Sequence, residues 1–149
     1  MTYQVQIVNA RPTVLAVVRS RTTQQALGTL IPQALAAVYV FLKTAPVRQQ
    51  GHNVVVYLDA VMNVEIGIQV SAEFDHTATI LCSATPGGTA AKTLHLGPYS
   101  ALPQAHAAVR RWCTENSREL AGPNWEVYGD WHDDPQKLRT DVYYLLKDS

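Results

Sequence analysis

The stretch NWEVYGD, residues 124–130, has a counterpart earlier in the chain, NVVVYLD, at residues 53–59. Asn, Val, Tyr and Asp agree at four of the seven positions. The same order of predicted elements surrounds both stretches, with strands before a helix and two strands after it. Together these observations indicate an internal repeat of about residues 1–74 and 75–149 within one domain of 149 residues.

The first repeat predicts a strand, a turn and a strand, followed by a helix and a hairpin. Apolar residues at helical spacing place the helix within residues 23–44, with Pro32 in the first turn of its main part and Pro46 at its end. Runs rich in β-branched residues predict the strands at 5–9, 13–20, 54–60 and 64–71.

The second repeat follows the same plan. Its helix is expected to begin after Ser100, because GPY at residues 97–99 reads as a turn before an N-cap, and Gly122-Pro123 is expected to end it. The apolar stripe of this helix consists of Leu102, Ala105, Val109 and Trp112. Its strands are predicted at 78–85, 89–97, 124–130 and 141–147. The predicted fold class is therefore α+β, built from two tandem modules of strands and one helix each.

Alternation along the two matching stretches sorts their side chains onto two faces of the sheet. Val54 and Val56 share a uniformly apolar face, which predicts that this face packs against the helix. Val55 and Tyr57 lie on the opposite face. In the second repeat the acid Glu126 takes the place of Val55.

The second repeat thus carries one acid in a strand that otherwise reads as buried. By the same alternation, Trp125 belongs to the face predicted to pack the helix, whereas Glu126 and Tyr128 share the other face. Removing a carboxylate from water costs several kcal/mol unless another group compensates its charge. The last strand has Tyr143 on one face and Tyr144 on the other, among apolar neighbours. Such a sheet is covered on its second face too, or curls there to form a groove.

Composition excludes several classes of function. Twelve basic and twelve acidic residues balance, so no global field favours nucleic acid or an anionic membrane surface. Cys82 and Cys113 lie in apolar segments without metal-ligand spacing, which is typical of reduced core thiols. The N-terminus lacks the pattern of a signal peptide, and we expect no membrane-spanning stretch. These features predict a cytoplasmic protein.

Three segments carry a resemblance to a known family: HLGPYSALPQAHAAVRRW (95–112), GPNWEVYGDW (122–131) and RTDVYYLL (139–146). They resemble the GyrI-like small-molecule-binding domain, the effector-binding module of bacterial AraC-type and MerR-type multidrug regulators, which also occurs alone. The most specific parts are HxGPY before the second helix and WEVY in the strand after it. The first repeat resembles the family in its pattern of predicted elements more than in the identity of its residues.

The resemblance implies strand-helix-strand-strand modules related by a pseudo-twofold axis, an antiparallel sheet with two main helices, and a central ligand groove. It also implies a small-molecule ligand, since drug-sensing members recognise lipophilic cations with an acid, and Glu126 is the position that matches it. The chain has no winged-helix or helix-turn-helix segment. We therefore expect a stand-alone binding domain without direct contact to nucleic acid, while a protein partner stays open.

The candidate ligand-binding residues are the acid and the side chains expected around it. Aromatic faces attract a bound cation by about 0.5–2 kcal/mol, and flat apolar walls tolerate varied ligands. Tyr99 reads as either core or groove rim. The alternative is that Glu126 is exposed at a sheet edge or paired with Arg139. The candidates are Glu126, Tyr128, Tyr57, Tyr143, Tyr144, Tyr99 and Val55.

Two other classes of function stay open. Some members of the family are hydrolases that open the cyclopropane ring of alkylating natural products; in such a reaction Glu126 would act on a water while a tyrosine hydrogen-bonds the carbonyl. A gyrase-inhibitor-like interaction with another protein is the third class. The five histidines show no HxxxH or HExxH pairing, so no metal site is predicted. Haem ligation by His106 rests on fold analogy alone, and no cofactor is expected.

Overall fold

The computed structural model describes residues 2–148 and contains one eight-stranded antiparallel sheet and two α-helices. The predicted α+β class, with two main helices on an antiparallel sheet, is confirmed. Short 3-10 turns lie at Tyr99–Ala101 and Pro135–Lys137. The elements are β1 (Val5–Ala10), β2 (Val14–Arg21), α1 (Gln24–Leu42), β3 (Gln49–Tyr57), β4 (Asn63–Val70), β5 (Leu81–Ala84), β6 (Gly88–Leu96), α2 (Leu102–Glu115), β7 (Leu120–Tyr128) and β8 (Arg139–Leu146).

Counted from either end of the sheet, equivalent strands of the two repeats follow in the same order. It runs β1-β6-β8-β7-β3-β4-β2-β5, so that β6-β8-β7 of the second repeat mirrors β2-β4-β3 of the first. The two repeats meet where β3 pairs with β7, and Val55 lies directly opposite Glu126 in that pair. These two residues also occupy equivalent places in the repeat. The pseudo-twofold axis therefore passes through the Val55–Glu126 pair.

Both helices lie on the face of the sheet that carries Val55. The buried side of α1 packs over β2 and β4 and reaches Val55 of β3, which clusters with Ala34 and Ile66. The buried side of α2 packs over β6 and β8, where Val109 shares a cluster with Val142. The prediction that the helices cover the face of Val54 and Val56 is therefore wrong.

The other face of the sheet curls onto itself. Val54, Val56 and Trp125 form one buried cluster with Leu15 of β2 and Ala90 of β6, which lie toward opposite ends of the sheet. The alternation of side chains along the strands correctly predicts which residues share a face of the sheet. It could not tell which set meets the helices, because the valines on both faces, Val54–Val56, are buried and equally apolar.

The first helix begins earlier than predicted. Thr23 is its N-cap, and the Thr23 hydroxyl accepts a hydrogen bond of 3.1 Å from the backbone N–H of Ala26. Pro32 consequently lies inside α1 rather than in its first turn. The 19 residues of α1 are also long and apolar enough to cross a membrane by length and composition alone, contrary to the expectation from sequence. Leu27, Ala34 and Val38 nevertheless bury one side of α1 against the domain.

The second helix also begins and ends at residues other than those predicted. Its N-cap is Ala101, preceded by the 3-10 turn, so Ser100 does not cap it. It ends at Glu115, and Gly122 and Pro123 lie inside β7 instead of ending the helix. The register of β7 against β8 shifts between Leu120 and Asn124, and Gly122 has a φ of 122°. The Gly-Pro pair thus marks a bulged start of the strand.

Candidate functional site

A groove runs between α1 and α2 above the strand pair β3 and β7, and Glu126 lies at its floor. The groove exists because α1 covers one repeat and α2 the other, which leaves the strands at the pseudo-twofold axis between them. Glu126 is 4% exposed. A carboxylate buried to that degree requires hydrogen-bond partners.

Three side chains supply those partners. Tyr128 donates a hydrogen bond of 2.6 Å to Glu126 Oε1, and Tyr57 donates one of 3.2 Å to the same oxygen. His106 Nε2 lies 2.6 Å from Glu126 Oε2. Tyr57 and Tyr128 are equivalent residues of the two repeats, so the pseudo-twofold brings both hydroxyls to the one acid.

The network continues from His106 to the end of the groove. His106 Nδ1 lies 2.7 Å from the hydroxyl of Tyr144, and Arg110 Nη1 donates a hydrogen bond of 2.9 Å to that hydroxyl oxygen. Because Arg110 occupies a lone pair of Tyr144, the arrangement that uses every group directs the Tyr144 proton to His106 Nδ1. His106 then donates from Nε2 to Glu126. In this arrangement His106 is neutral and Glu126 is a carboxylate.

The carboxylate retains capacity for one further partner. Its two oxygens offer about four acceptor positions, and three are taken by Tyr128, Tyr57 and His106. The remaining position is on Oε2, which accepts only from His106. A ligand N–H or a water could use it, and a cation without hydrogen-bond donors needs only proximity to the charge.

The tyrosines of the network are held in their protonated form. Burial, followed by the charge of Glu126, raises the pKa of both Tyr57 and Tyr128. Burial also raises the pKa of Tyr144, although Arg110 acts in the opposite direction. These hydroxyls are therefore hydrogen-bond donors across the physiological range of pH.

The groove is divided into two cavities. The first, here called the acid chamber, has a volume of about 750 Å³ and contains Glu126, His106 and Arg110 in its lining. The other, here called the second chamber, has a volume of about 570 Å³ and is bordered by Trp131 at its mouth. Each volume is in the range of small-molecule sites. Four residues line both chambers: Gly28, Ile31, Tyr99 and Tyr128.

The lining of the groove is locally negative although the chain is neutral. Asp59, Glu126 and Asp130 contribute carboxylates, whereas Arg110 contributes the only cation among the Lys and Arg residues of the described lining. Aromatic and aliphatic side chains make up most of the remaining walls. The site therefore combines apolar surface with an excess of negative charge.

The structure brings most of the predicted site residues together. Tyr57, Tyr128, Tyr144 and Tyr99 line the groove with Glu126. Val55 lies beside Glu126 on the same face but is 1% exposed, packed under α1, and does not border either chamber.

Two of the predicted contacts differ from those in the structure. Tyr143 lies on the curled face of the sheet, where its ring stacks on Trp125 at 4.9 Å between centroids, so it does not reach the groove. Arg139 lies 3.5 Å from Asp141 and makes no ion pair with Glu126. The alternative of an Arg139-paired or exposed Glu126 is therefore wrong.

Sequence reasoning missed His106 and Arg110 as members of the site. They are four residues apart on α2, so they project from one side of the helix next to its apolar stripe. That spacing, beside a strand with an isolated acid, is the signal that could have found them. Within residues 2–148 no group of three or more His, Cys, Asp or Glu residues is placed to hold a metal ion.

Comparison with known proteins agrees with this architecture. The family profile of the GyrI-like small molecule binding domain matches residues 3–147. No curated protein sequence matches the chain significantly. The C-terminal domain of EcmrR is 20% identical and superposes with a TM-score of 0.85, with 100% of both chains covered. In a complex of EcmrR with DNA, 99% of this chain matches 58% of the EcmrR chain, with a TM-score of 0.84.

Two further structures share the fold at lower similarity. SAV2435 bound to tetraphenylphosphonium is 15% identical and has a TM-score of 0.62, with 99% of this chain and 94% of that chain covered. A hydrolase from Listeria innocua is 12% identical and has a TM-score of 0.60, with 97% and 92% covered. These similarities establish the fold.

Proposed function

The chain belongs to the GyrI-like small molecule binding domain family, and we propose that its groove binds lipophilic organic cations through Glu126. The observation that carries the proposal is the buried carboxylate at the floor of the groove, with Tyr57, Tyr128 and His106 as its hydrogen-bond partners. In the hydrogen-bond arrangement described above none of these donors brings a positive charge, so the charge of Glu126 is available to a cation in the acid chamber. The binding of tetraphenylphosphonium by SAV2435, which has the same fold, supports this ligand class.

The walls of the groove suit such a ligand. Tyr57, Tyr128 and Tyr144 surround the acid with aromatic rings, which attract cations by about 0.5–2 kcal/mol each. Protonated tyrosines keep this attraction at physiological pH, since their raised pKa values prevent ionisation. A bulky ion without strong hydration loses little on leaving water and gains apolar contact.

A titration with a matched pair of ligands tests the proposal. Methyltriphenylphosphonium carries the charge, and triphenylphosphine oxide is a neutral compound of similar shape. At about 6 Å and an effective dielectric constant of about 20, a unit charge interacts with Glu126 by about 3 kcal/mol, less the opposing effect of Arg110. Glu126→Gln is therefore expected to weaken phosphonium binding about 10–100-fold and to leave binding of the oxide nearly unchanged.

The substitution is suited to the test because the network can adapt to it. The amide that replaces the carboxylate could donate to His106 Nε2. His106 would then donate from Nδ1 to the second lone pair of Tyr144, whose own proton would turn to solvent in the acid chamber. Glu65→Gln provides the control, because Glu65 is buried to a similar extent but lies away from the groove, with Arg19 and Ser83 as partners. Equal weakening of both ligands, or no weakening of phosphonium binding, would contradict the proposal.

Hydrolysis of an electrophile is the second candidate, supported by the free acceptor position of Glu126 beside two tyrosine hydroxyls. That position could accept a proton from a water, while Tyr57, whose bond to Oε1 is the longer one at 3.2 Å, turns its hydroxyl from Oε1 to a carbonyl of the substrate. Mass spectrometry with an excess of a cyclopropane-bearing electrophile tests it. Multiple turnovers that are lost in Glu126→Gln would support hydrolysis, and consumption of one equivalent only would exclude it.

A further inference from the structure

The second chamber is the repeat-related counterpart of the acid chamber. Asn124 and Asp59 line the acid chamber, and their equivalents Asn53 and Asp130 line the second one. Tyr128, the equivalent of Tyr57, borders both. The pseudo-twofold has therefore produced two cavities of related frame on either side of the axis, and only the acid chamber contains the network of Glu126.

The second chamber presents aromatic rings in place of an acid network. Trp131 is 73% exposed and Tyr39 is 42% exposed, and both border the cavity. Pro32 and Leu35 of α1 supply the aliphatic wall. Exposed rings that border one cavity, rather than being scattered over the surface, offer apolar surface to a flat aromatic group.

Gly28 keeps the boundary between the two chambers open. It lies in the interior of α1 and lines both chambers, and a Cβ added there would meet no atom within 4 Å. Packing therefore does not require a glycine, although Gly costs a helix about 1 kcal/mol relative to Ala. One turn later Pro32 lines the second chamber and has no N–H to donate to the Gly28 carbonyl. Both residues weaken α1 where it borders the groove.

We propose that the groove binds two-part ligands, with a cationic group in the acid chamber, a flat aryl group in the second chamber and a connecting chain that passes Gly28. This inference rests on the proposed function for its cationic end. The residues between the chambers suit the passage of such a chain: Tyr99 and Tyr128 meet edge to face at 5.5 Å between centroids, and Gly28 leaves space beside them.

A series of linked probes tests the proposal. The probes are triphenylphosphonium ions that carry a 2-naphthyl group on alkyl spacers of increasing length, and plain alkyl triphenylphosphonium ions of the same lengths are the controls. Because linking two groups raises affinity most when the spacer matches the span, the naphthyl series should pass through an optimum. At the optimum we expect at least about tenfold tighter binding than the alkyl control, measured by titration calorimetry.

Two variants test which part of the groove produces the gain in affinity from the naphthyl group. Trp131→Ala removes the aryl contact, so it should abolish the gain and leave methyltriphenylphosphonium binding unchanged. Gly28→Leu fills the passage and should also abolish the gain, measured relative to methyltriphenylphosphonium binding to the same variant because Gly28 lines both chambers. Gly28→Ala is the matched control, since it strengthens the helix but fills little space. The proposal would be overturned if the naphthyl probes bind no more tightly than the alkyl controls of the same length. It would also be overturned if their tighter binding persists in both variants.

A neutral naphthyl alcohol separates this proposal from the cation proposal. Its binding should be lost in Trp131→Ala and unaffected by Glu126→Gln. If methyltriphenylphosphonium fails to bind while the alcohol behaves in this way, the function proposed for Glu126 fails and the aryl site stands. If the alcohol does not bind, or binds equally well to Trp131→Ala, the aryl site is overturned.

Discussion

Tyr128→Phe is expected to destabilise the fold more than the same change at its repeat-equivalent, Tyr57. Both hydroxyls donate to Glu126 Oε1, but the distance is 2.6 Å from Tyr128 and 3.2 Å from Tyr57. A hydrogen bond to a charged group contributes about 1.5–3 kcal/mol, and short bonds lie at the upper end. We therefore expect a loss of about 2–3 kcal/mol for Tyr128→Phe and about 1–1.5 kcal/mol for Tyr57→Phe.

Urea denaturation followed by circular dichroism measures these losses. Tyr143→Phe is the control, because Tyr143 lies on the opposite face and makes no hydrogen bond to Glu126; it should change the free energy of unfolding by less than about 0.5 kcal/mol. In a Glu126→Gln background the cost of Tyr128→Phe should fall by about 1 kcal/mol, since the acceptor is then neutral. An unchanged cost in that background would refute the reasoning.

Two further outcomes follow from packing and ionisation. Gly67→Ala should destabilise the fold by about 2 kcal/mol or more in thermal unfolding, because its Cβ would overlap the carbonyl oxygen of Ala16, whereas Gly28→Ala should stabilise it by about 0.5–1 kcal/mol. Above pH about 10 stability should fall, because the pKa values of Tyr57 and Tyr128 are raised in the folded state and the unfolded tyrosines lose their protons first. Phenolate absorbance in native protein should accordingly lag behind that of the unfolded chain, and complete ionisation near pH 10 would contradict the buried network.

Most of the fold could be predicted from local patterns, but the side of the sheet that meets the helices could not. Alternation along NVVVYLD separates Val54 and Val56 from Val55. It does not say which set meets a helix, because the curled sheet buries the other set just as completely. The start of α1 differs from the prediction for another reason: Pro32 favours a first turn, but burial of Leu27 and packing of Ala34 on the sheet stabilise the helix on both sides of it.

The sequence predicts the members of the site that lie on the strands and in the turn before α2, but not those on α2 itself. Glu126 and Tyr128 share a face by alternation, and the repeat adds Tyr57. His106 and Arg110 come from α2, which packs on β6 and β8, so only tertiary packing brings them to the acid. Tyr143 and Tyr144 are neighbours in sequence and lie on opposite faces of β8, so only Tyr144 lines the groove.

The location of the pseudo-twofold at the Val55–Glu126 pair limits which side chains the two copies can carry at this position. Directly opposed residues of an antiparallel pair have Cβ atoms about 5 Å apart. Two buried carboxylates at that separation cannot both be ionised, and one would have to hold a proton at neutral pH. A groove with an acid from each copy would thus carry no more charge than a groove with one. Breaking the symmetry, with valine in one copy and glutamate in the other, retains the full charge, and the duplicated tyrosines then serve a single acid from both sides.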